Sequence, residues 1–330
     1  MPYFSIGVDL GGTNLRIAAI EDSGKVLEVT SSATEVARGR DMVINEMCDA
    51  ILKLGEKYQQ HSTMVGVGIG VPGIIDMHTG MLRASPNLPG WHEYPVRQEI
   101  ERRLHTRVIL ENDANAAALG EFWLGAGREV EDMCLFTLGT GVGGGIILEG
   151  KVWHGMTGMA GELGHFTIYP DGAQCGCGNV GCLEQYASAT AIKRMANDMI
   201  KAGKAPELSK VALANPELTS KLVFDLAKAG DKPAQQIFDN VGEALGIGVA
   251  AFVNALNLPM YVIGGGVSAA WDAIAPRMME VLRRRSFVFA ATRPSDRPIV
   301  SGRSTIITRA VLGGDAGLYG AARLPMMVDH

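Results

Sequence analysis

One histidine and three cysteines form the densest group of reactive side chains in this sequence of 330 residues. His165 is followed by Cys175, Cys177 and Cys182, with glycines between and around the cysteines. An imidazole and three thiolates make a closed tetrahedral zinc site that leaves no position for a catalytic water. The pattern therefore predicts a structural Zn²⁺, whereas free thiols in a core would suit the two remaining cysteines.

Two carboxylates bracket these ligands. Glu162 lies three residues before His165, and Glu184 lies two residues after Cys182. A single Glu in a loop is usually a solvated surface residue, but closing a metal loop would bring these two near each other. Paired carboxylates accept hydrogen bonds from a polyol, so we expect them to bind the hydroxyl groups of a sugar.

Two glycine-rich turns could bind phosphate. The first, Asp9 to Asn14, follows a short apolar run that predicts a strand, and the second spans 139–145. Glycines let backbone N–H groups approach a phosphate, and Thr13 adds a hydroxyl donor. Asp9 could hold Mg²⁺ through water. A plain hairpin turn explains the first motif as well, but two such turns on matching strands favour a nucleotide.

A third glycine run, 264–268, lies between an apolar strand and a helix. By itself it favours a simple strand-to-helix turn, although adenine and ribose could also lie against such bare backbone. The spacing of these glycines fits neither the Walker motif nor the dinucleotide fingerprint. The residues predicted to bind the nucleotide and its Mg²⁺ are Asp9, Gly11, Gly12, Thr13, Asn14, Thr140, Gly141, Gly265 and Gly266.

Asp113 is the candidate general base. It follows a predicted strand, 108–112, and begins an alanine-rich helix, which places it at the carboxyl end of a strand, where open α/β sheets bind ligands. Phosphoryl transfer to an alcohol needs a group that accepts the hydroxyl proton. Asn112 can both donate to and accept from a sugar hydroxyl. The alternative role for Asp113 is a helix N-cap, which Asp fills as readily.

Strands alternate with helices along the chain, which predicts an α/β fold with a largely parallel core. The segment LGGTNLRIAAIEDSGKV from Leu10 is echoed by LGTGVGGGIILEGKV from Leu138, so we expect two related lobes that share a cleft. The smaller lobe would hold residues 1–113 and about 310–330, because the last helix should pack back on it. The larger would hold 114–309, with a variable helical insertion at 203–232.

Composition excludes several functions. A formal net charge of −5 leaves no basic face for nucleic acid. The most apolar stretch, 244–253, is far shorter than a membrane span. The start of the chain carries no secretion signal, and clustered thiols suit a reducing compartment, so we expect a cytoplasmic protein that binds small molecules.

Together these motifs resemble the ROK family of sugar kinases, and within it the bacterial ATP-dependent glucokinases. The likeness runs nearly end to end. It rests on the Asp9 turn, Val71-Pro72-Gly73, Glu111 to Asn115, Leu138 to Gly145, Gly161 to His165, the cysteine loop and Gly313 to Gly317. The resemblance implies an actin-like, ribonuclease H-related fold with a duplicated β-meander, whose two lobes close over a hexose and ATP.

The resemblance also implies individual roles. Asp113 would deprotonate the sugar 6-hydroxyl, His165 would bridge the sugar and the zinc, and Asn87 would lie near the sugar. A homodimer is expected. The sugar-binding residues that it implies are Gly73, Asn112, Asp113, Glu162, His165 and Glu184.

Within the family, the segment 181–188 favours glucose over fructose or an N-acylated sugar such as N-acetylmannosamine or N-acetylglucosamine. The cysteine loop argues against the branch that uses polyphosphate. A sugar-sensing transcriptional repressor is a different alternative, but the first strand begins by Phe4 and leaves no room for a helix-turn-helix. An actin-type structural ATPase would have no use for a zinc loop beside paired carboxylates.

Overall fold

The computed structural model describes residues 2–85, 87–295 and 304–328. Pro86, beside the predicted sugar-binding Asn87, lies outside these ranges. The strands are β1 (Tyr3–Leu10), β2 (Asn14–Glu21), β3 (Val26–Ala33), β4 (Thr63–Val71), β5 (Ile74–Asp76), β6 (Met81–Ala84), β7 (Val108–Asn112), β8 (Met133–Leu138), β9 (Val142–Leu148), β10 (Lys151–Val152), β11 (Met260–Gly264) and β12 (Ile306–Arg309).

The α-helices of the described residues include several that the apolar periodicity predicts. They are α1 (Arg40–Gln59), α2 (Val96–Leu104), α3 (Asp113–Leu124), α4 (Glu184–Ala187), α5 (Ala189–Lys201), α6 (Pro206–Ala214), α7 (Ser220–Lys228), α8 (Lys232–Leu256), α9 (Trp271–Arg285), α10 (Phe287–Thr292) and α11 (Ala316–Met326). The predicted insertion at 203–232 contains α6 and α7. None of the described helices has the length and apolar character needed to cross a membrane.

Two five-stranded sheets repeat one topology. The first has the order β3-β2-β1-β4-β7, and the second has the order β10-β9-β8-β11-β12. In the first sheet β1 to β3 form an antiparallel meander, and β4 and β7 continue it in parallel with β1. The two echoed sequence segments form corresponding parts of these sheets, which confirms the predicted duplication.

The chain forms two compact units. The first contains Met1–Leu135, Gly145–Gly161 and Val311–His330, and the second contains Phe136–Gly144 and Glu162–Ala310. The first unit extends past the boundary predicted at residue 113, because helix α3 packs against the terminal helix α11 and stays with it. It also takes in 145–161, which the sequence pattern did not assign to it.

Strand β1 shows why its sheet is covered on both faces. Its even-numbered residues, such as Ile6 and Val8, are buried in one core cluster with Ile44 and Met47 of α1. On the other face, Ser5 and Gly7 are small because helix α11 lies close to them. A Cβ on Gly7 would collide with the backbone of α11, and the nearby Ser5 hydroxyl donates to the carbonyl of Ala322 over 2.5 Å.

We expect Gly320→Ala to destabilise the first unit by about 1–3 kcal/mol, because overpacking forces backbone shifts. A Cβ at Gly320 would collide with the carbonyl oxygen of Ala116 on α3. Gly314→Ala is the matched control, since a Cβ at Gly314 has no protein atom within 4 Å among the described residues. Urea denaturation measures both variants, and equal free energies of unfolding would contradict this account of the α3–α11 contact.

Candidate active site and metal centre

Asn112, and not Asp113, is the N-cap of helix α3. Asn112 has extended backbone (φ −62°, ψ 143°), and its Oδ1 accepts from the backbone N–H of Ala114 at 2.9 Å and of Asn115 at 3.2 Å. The N-cap alternative for Asp113 is therefore wrong, because the residue before it already caps the helix. Asp113 is the first helical residue, and its Oδ1 accepts from the N–H of Ala114 at 2.9 Å, which leaves Oδ2 available for chemistry.

The same hydrogen bonds limit what Asn112 can offer a sugar. Its Nδ2 donates to the carbonyl of Gly73 at 3.2 Å, and its Oδ1 is used twice in capping. An amide has two N–H donors and two acceptor positions, so one N–H of Asn112 is left for a ligand. Gly73 itself has φ +118°, and a Cβ there would collide with the carbonyl of Ala84. Both facts explain why this position requires glycine.

Asp9 and Asp113 lie at the same edge of the first sheet. Asp9 is near the end of β1, Asp113 directly follows β7, and these strands run parallel on either side of β4. Burial of the Asp9 carboxyl, together with the negative charge of Asp113, raises its pKa to about 6, and the positive charge of Arg16 opposes both effects. Desolvation likewise raises the pKa of Asp113, although its side chain retains access to solvent.

A raised carboxyl pKa suits a general base, because the group takes up a proton more readily than a free carboxylate does. The mutual repulsion of Asp9 and Asp113 also means that a cation beside Asp9 would be stabilising. Mg²⁺ prefers such carboxylate oxygens. This pair therefore fits both predicted roles.

The first glycine turn joins β1 to β2. The N–H of Gly11 donates to the carbonyl of Asn14 at 2.9 Å, and Thr13 accepts from the N–H of Thr34 through its carbonyl. The Thr13 side chain is exposed, so its hydroxyl can reach a ligand. A Cβ at Gly12 would come within 2.5 Å of the carbonyl oxygen of Asn87, which places Asn87 against this turn.

His165, Cys175, Cys177 and Cys182 converge in the second unit. Their ligand atoms all lie within 4.8 Å of one another. The sulfurs of Cys177 and Cys182 are 3.8 Å apart, and Nδ1 of His165 is 3.7 Å from the sulfur of Cys175. Tetrahedral zinc with Zn–S bonds of about 2.3 Å would hold two sulfurs about 3.8 Å apart. The donor set and its spacing therefore fit Zn²⁺.

The backbone of the cysteine loop depends on glycines at two positions. Gly178 and Gly181 have φ +93° and +71°. The N–H of Cys175 donates to the carbonyl of Asn179 at 2.8 Å, which closes the loop between the ligands. Only glycine adopts such φ values at little cost, so the backbone path of this loop requires glycine at both positions.

Gly181→Ala should lower the free energy of unfolding by about 1–3 kcal/mol, the usual cost of a left-handed residue that is not glycine. The new Cβ would also collide with the carbonyl oxygen of Tyr169. Gly176→Ala is the control in the same loop, because a Cβ at Gly176 meets no described protein atom within 4 Å. Thermal unfolding compares the two variants, and an equally stable Gly181→Ala would refute the expected strain.

Both predicted sugar carboxylates lie beside metal-ligand residues. Oε2 of Glu162 is 4.0 Å from Nε2 of His165, and Oε1 of Glu184 is 3.9 Å from the sulfur of Cys175. Nδ1 of His165 thus faces the cysteine cluster, and Nε2 of the same ring faces Glu162. A histidine that binds a metal through one nitrogen keeps the other as a donor. This arrangement suits the expected bridge between metal and sugar.

Glu184 has a second contact that the sequence did not predict. Its Oε2 accepts from the N–H of Val142 at 2.9 Å, at the end of the second glycine turn. The same turn receives two more hydrogen bonds, from the N–H of Ala189 to Gly139 and from the hydroxyl of Thr190 to Thr140, both 2.8 Å. The segment that follows the candidate metal ligands therefore contacts the predicted phosphate turn.

The glycines of the second and third runs divide into two kinds. A Cβ at Gly141 would collide with the carboxylate of Glu184, and one at Gly265 would come within 2.5 Å of the backbone of Leu138. Packing alone explains these two. Gly139 and Gly266 have no described protein atom within 4 Å of an added Cβ, so a ligand could approach the backbone there.

Two further residues near Asp113, Glu111 and His154, were not predicted from the sequence to have a functional role. Glu111 is buried at the end of β7, and its carboxylate lies 2.6 Å from Nε2 of His154. A lone histidine in a glycine-rich segment carries no sequence signal, and its partner is 43 residues away. Asn115, whose side chain donates to Glu111 at 3.1 Å, belongs to the same group.

A family model described as "ROK family" matches residues 5–327. The chain is 39% identical to a glucokinase of Halalkalibacterium halodurans, over 97% of this chain and 94% of that protein. It is 33% identical to a xylose repressor of Caldicellulosiruptor bescii, over 90% and 76%. A crystal structure of a ROK family glucokinase from Streptomyces griseus, in complex with glucose and AMPPNP, is 33% identical with a TM-score of 0.78 over 97% and 98%.

Structural neighbours of this similarity confirm the predicted actin-like, ribonuclease H-related fold. The motifs that carried the sequence resemblance lie within the matched range. This chain belongs to the ROK family.

Proposed function

We propose that this protein is an ATP-dependent hexose kinase that phosphorylates glucose at its 6-hydroxyl, with Asp113 as the general base. The observation that carries the proposal is the state of Asp113: it is not the N-cap of helix α3, it lies at a strand end, and desolvation raises its pKa. A carboxylate in this state is suited to accept the hydroxyl proton during phosphoryl transfer. The glucokinase relative, similar along almost its whole length, supports the same reaction.

Sugar recognition is assigned to Gly73, Asn112, Glu162, His165 and Glu184. The remaining N–H of Asn112 and the Nε2 side of His165 supply donors. Glu162 is largely exposed and supplies acceptor oxygens. One oxygen of Glu184 remains after its bond to Val142. Donors and acceptors in this mixture match hydroxyl groups, which do both.

Nucleotide binding is assigned to the glycine turns. Thr13 and the N–H groups of the first turn would contact phosphate oxygens, together with Thr140 and Gly141 of the second, while Gly266 leaves room for the nucleoside. Mg²⁺ held near Asp9 would offset phosphate charge during transfer. The assigned residues are Asp9, Gly11, Gly12, Thr13, Asn14, Thr140, Gly141, Gly265 and Gly266.

Zn²⁺ is assigned to His165, Cys175, Cys177 and Cys182, in a structural role. Four protein ligands would leave it no open position for substrate. Three thiolate ligands also favour a reducing compartment, so we propose a cytoplasmic location. A homodimer is part of the proposal as well, and light scattering in solution measures it.

A coupled ADP-release assay across hexoses tests the substrate. We expect glucose to give the highest kcat/KM in a panel that also contains mannose, fructose, N-acetylglucosamine, N-acetylmannosamine and xylose. An N-acylated sugar that reacts while glucose fails would replace glucose in the proposal. Fructose as the best substrate would do the same.

A sugar-sensing repressor is the second candidate, because one relative with 33% identity bears that name. Such a protein would bind a sugar without consuming ATP. Calorimetric titration with xylose and glucose, in the presence and absence of ATP, separates the two functions. Tight sugar binding with no ADP release for any hexose would favour the repressor.

A further inference from the structure

Glu111 is a buried carboxylate that contacts Asn112 and Asn115, which lie on either side of Asp113 in the chain. It is 1% exposed. Its Oε1 accepts from the backbone N–H of Asn112 at 2.9 Å and from Nδ2 of Asn115 at 3.1 Å. One oxygen atom therefore joins the residue before Asp113 to a residue in the first turn of helix α3.

The other oxygen of Glu111 is held by His154, which follows β10. The two atoms are 2.6 Å apart, and an ionised carboxylate only accepts hydrogen bonds, so Nε2 of His154 carries the hydrogen. The side chain of His154 is about one-third exposed, whereas that of Glu111 is buried. The hydrogen bond to Glu111 and its charge raise the pKa of His154, and desolvation opposes them. Glu111 is the charged group that acts on this imidazole among the described residues.

Stability alone is a weak reason for this arrangement. Burying an ion pair costs desolvation that the attraction of its charges often fails to offset. Asn115 adds a further cost, because it is 2% exposed and its Oδ1 has no hydrogen-bond partner among the described residues. Turning the amide over would bring Oδ1 against the acceptor oxygen of Glu111, so its orientation is imposed by that carboxylate.

We propose that Glu111 and His154 are a positioning pair for Asp113: His154 orients the carboxylate of Glu111, which holds Asn112 and Asn115 and thereby aims the base between them. This inference rests on the proposed function of Asp113. Neither residue of the pair touches substrate. Their effect is geometric, and a displacement of about 1 Å at a catalytic group can cost about 10²-fold in rate.

Two pairs of variants test the proposal by steady-state kinetics. Glu111→Ala removes the acceptor for Asn112 and Asn115, and we expect kcat to fall about 10²-fold while both KM values stay within about 3-fold. Glu111→Gln keeps an oxygen acceptor, so its kcat should stay within about 5-fold of wild type. His154→Ala should lower kcat about 10-fold, and His154→Gln, which can still donate to Glu111, about 3-fold.

His61→Ala is the matched control, because it removes an exposed imidazole of the first unit and should leave kcat unchanged. Thermal unfolding as a function of pH gives a readout independent of catalysis. The pKa of His154 is raised in the folded state, so its pairing stabilises fully below its ordinary value of 6.5 and less as pH rises through the folded value. The difference in Tm between wild type and His154→Ala should therefore be largest near pH 6 and shrink towards pH 9.

The proposal would be overturned if Glu111→Ala and His154→Ala both unfold cooperatively, and so are folded, and both keep the wild-type kcat. A Glu111→Gln variant as slow as Glu111→Ala would also overturn it, since acceptor geometry would then not matter. If Glu111→Ala fails to fold, the kcat of His154→Ala decides. If the wild type is active, Asp113→Asn is inactive, and Glu111→Ala and His154→Ala keep the wild-type kcat, the positioning role is wrong while the proposed role of Asp113 stands. A wild-type protein that phosphorylates no hexose defeats the proposed function with it.

Discussion

Asp113→Asn is expected to lower kcat for glucose phosphorylation by about 10²–10⁴-fold, the range of a positioned general base. An amide cannot accept the hydroxyl proton, while its size leaves substrate binding nearly intact. The fold should tolerate the change well, because Asn112 still caps helix α3 and the amide oxygen of Asn can still accept from the N–H of Ala114. Desolvation raises the pKa of Asp113, so replacing an ionised side chain by a neutral one should leave Tm equal or higher at neutral pH.

Asp49→Asn is the control for this experiment. Asp49 is an exposed carboxylate of helix α1 in the same unit, and its loss should change neither kcat nor Tm appreciably. Single-turnover kinetics with purified Asp113→Asn would separate the chemical step from product release. A variant with wild-type turnover would remove Asp113 from the role of base.

Loss of the metal is expected to weaken the binding of both substrates, ATP as well as the sugar. Cys177→Ser tests this most directly, because Cys177 is the exposed cysteine of the cluster and contributes least to packing. Without the metal, the segment that follows the ligands loses its anchor. That segment holds the second glycine turn through Glu184, Ala189 and Thr190. Sugar and ATP affinities should each fall about 10–100-fold, as when groups that support a metal site are removed.

The measurements for Cys177→Ser are zinc content by mass spectrometry, Tm, and calorimetric titration with glucose and with AMPPNP. Cys48→Ser is the control, since it changes a buried thiol of the first unit outside the cluster. It should keep its zinc and both affinities, although its Tm falls. A zinc-free Cys177→Ser with unchanged AMPPNP affinity would contradict the coupling through Glu184. Full zinc content in that variant would contradict the ligand set.

Local patterns in the sequence predicted the elements that carry the site. The predicted strand 108–112 is strand β7 without any shift, and the alanine-rich helix predicted to begin at Asp113 is helix α3. The four metal-ligand residues could be chosen by spacing and chemistry, and they converge in the structure. The elements and the grouping of these four side chains were predictable because side-chain periodicity and ligand type depend on residues near one another in the chain.

Other features depend on contacts between distant segments. Asp and Asn cap helices equally well, so only the extended backbone at Asn112 decided which residue caps helix α3 and which is left for chemistry. The pairing of Glu111 with His154, and of Glu184 with the turn at Val142, joins residues about 40 positions apart. The close approach of Gly320 to Ala116 kept helix α3 in the first unit.

The sequence by itself thus indicated the family motifs, the candidate metal ligands, the candidate base and the duplicated strand-turn-strand plan. The tertiary structure decided which side chains are already engaged in hydrogen bonds and which remain available for a substrate. The reason is physical: a residue type states which bonds a group can make, whereas its partners depend on how the folded backbone brings distant segments together.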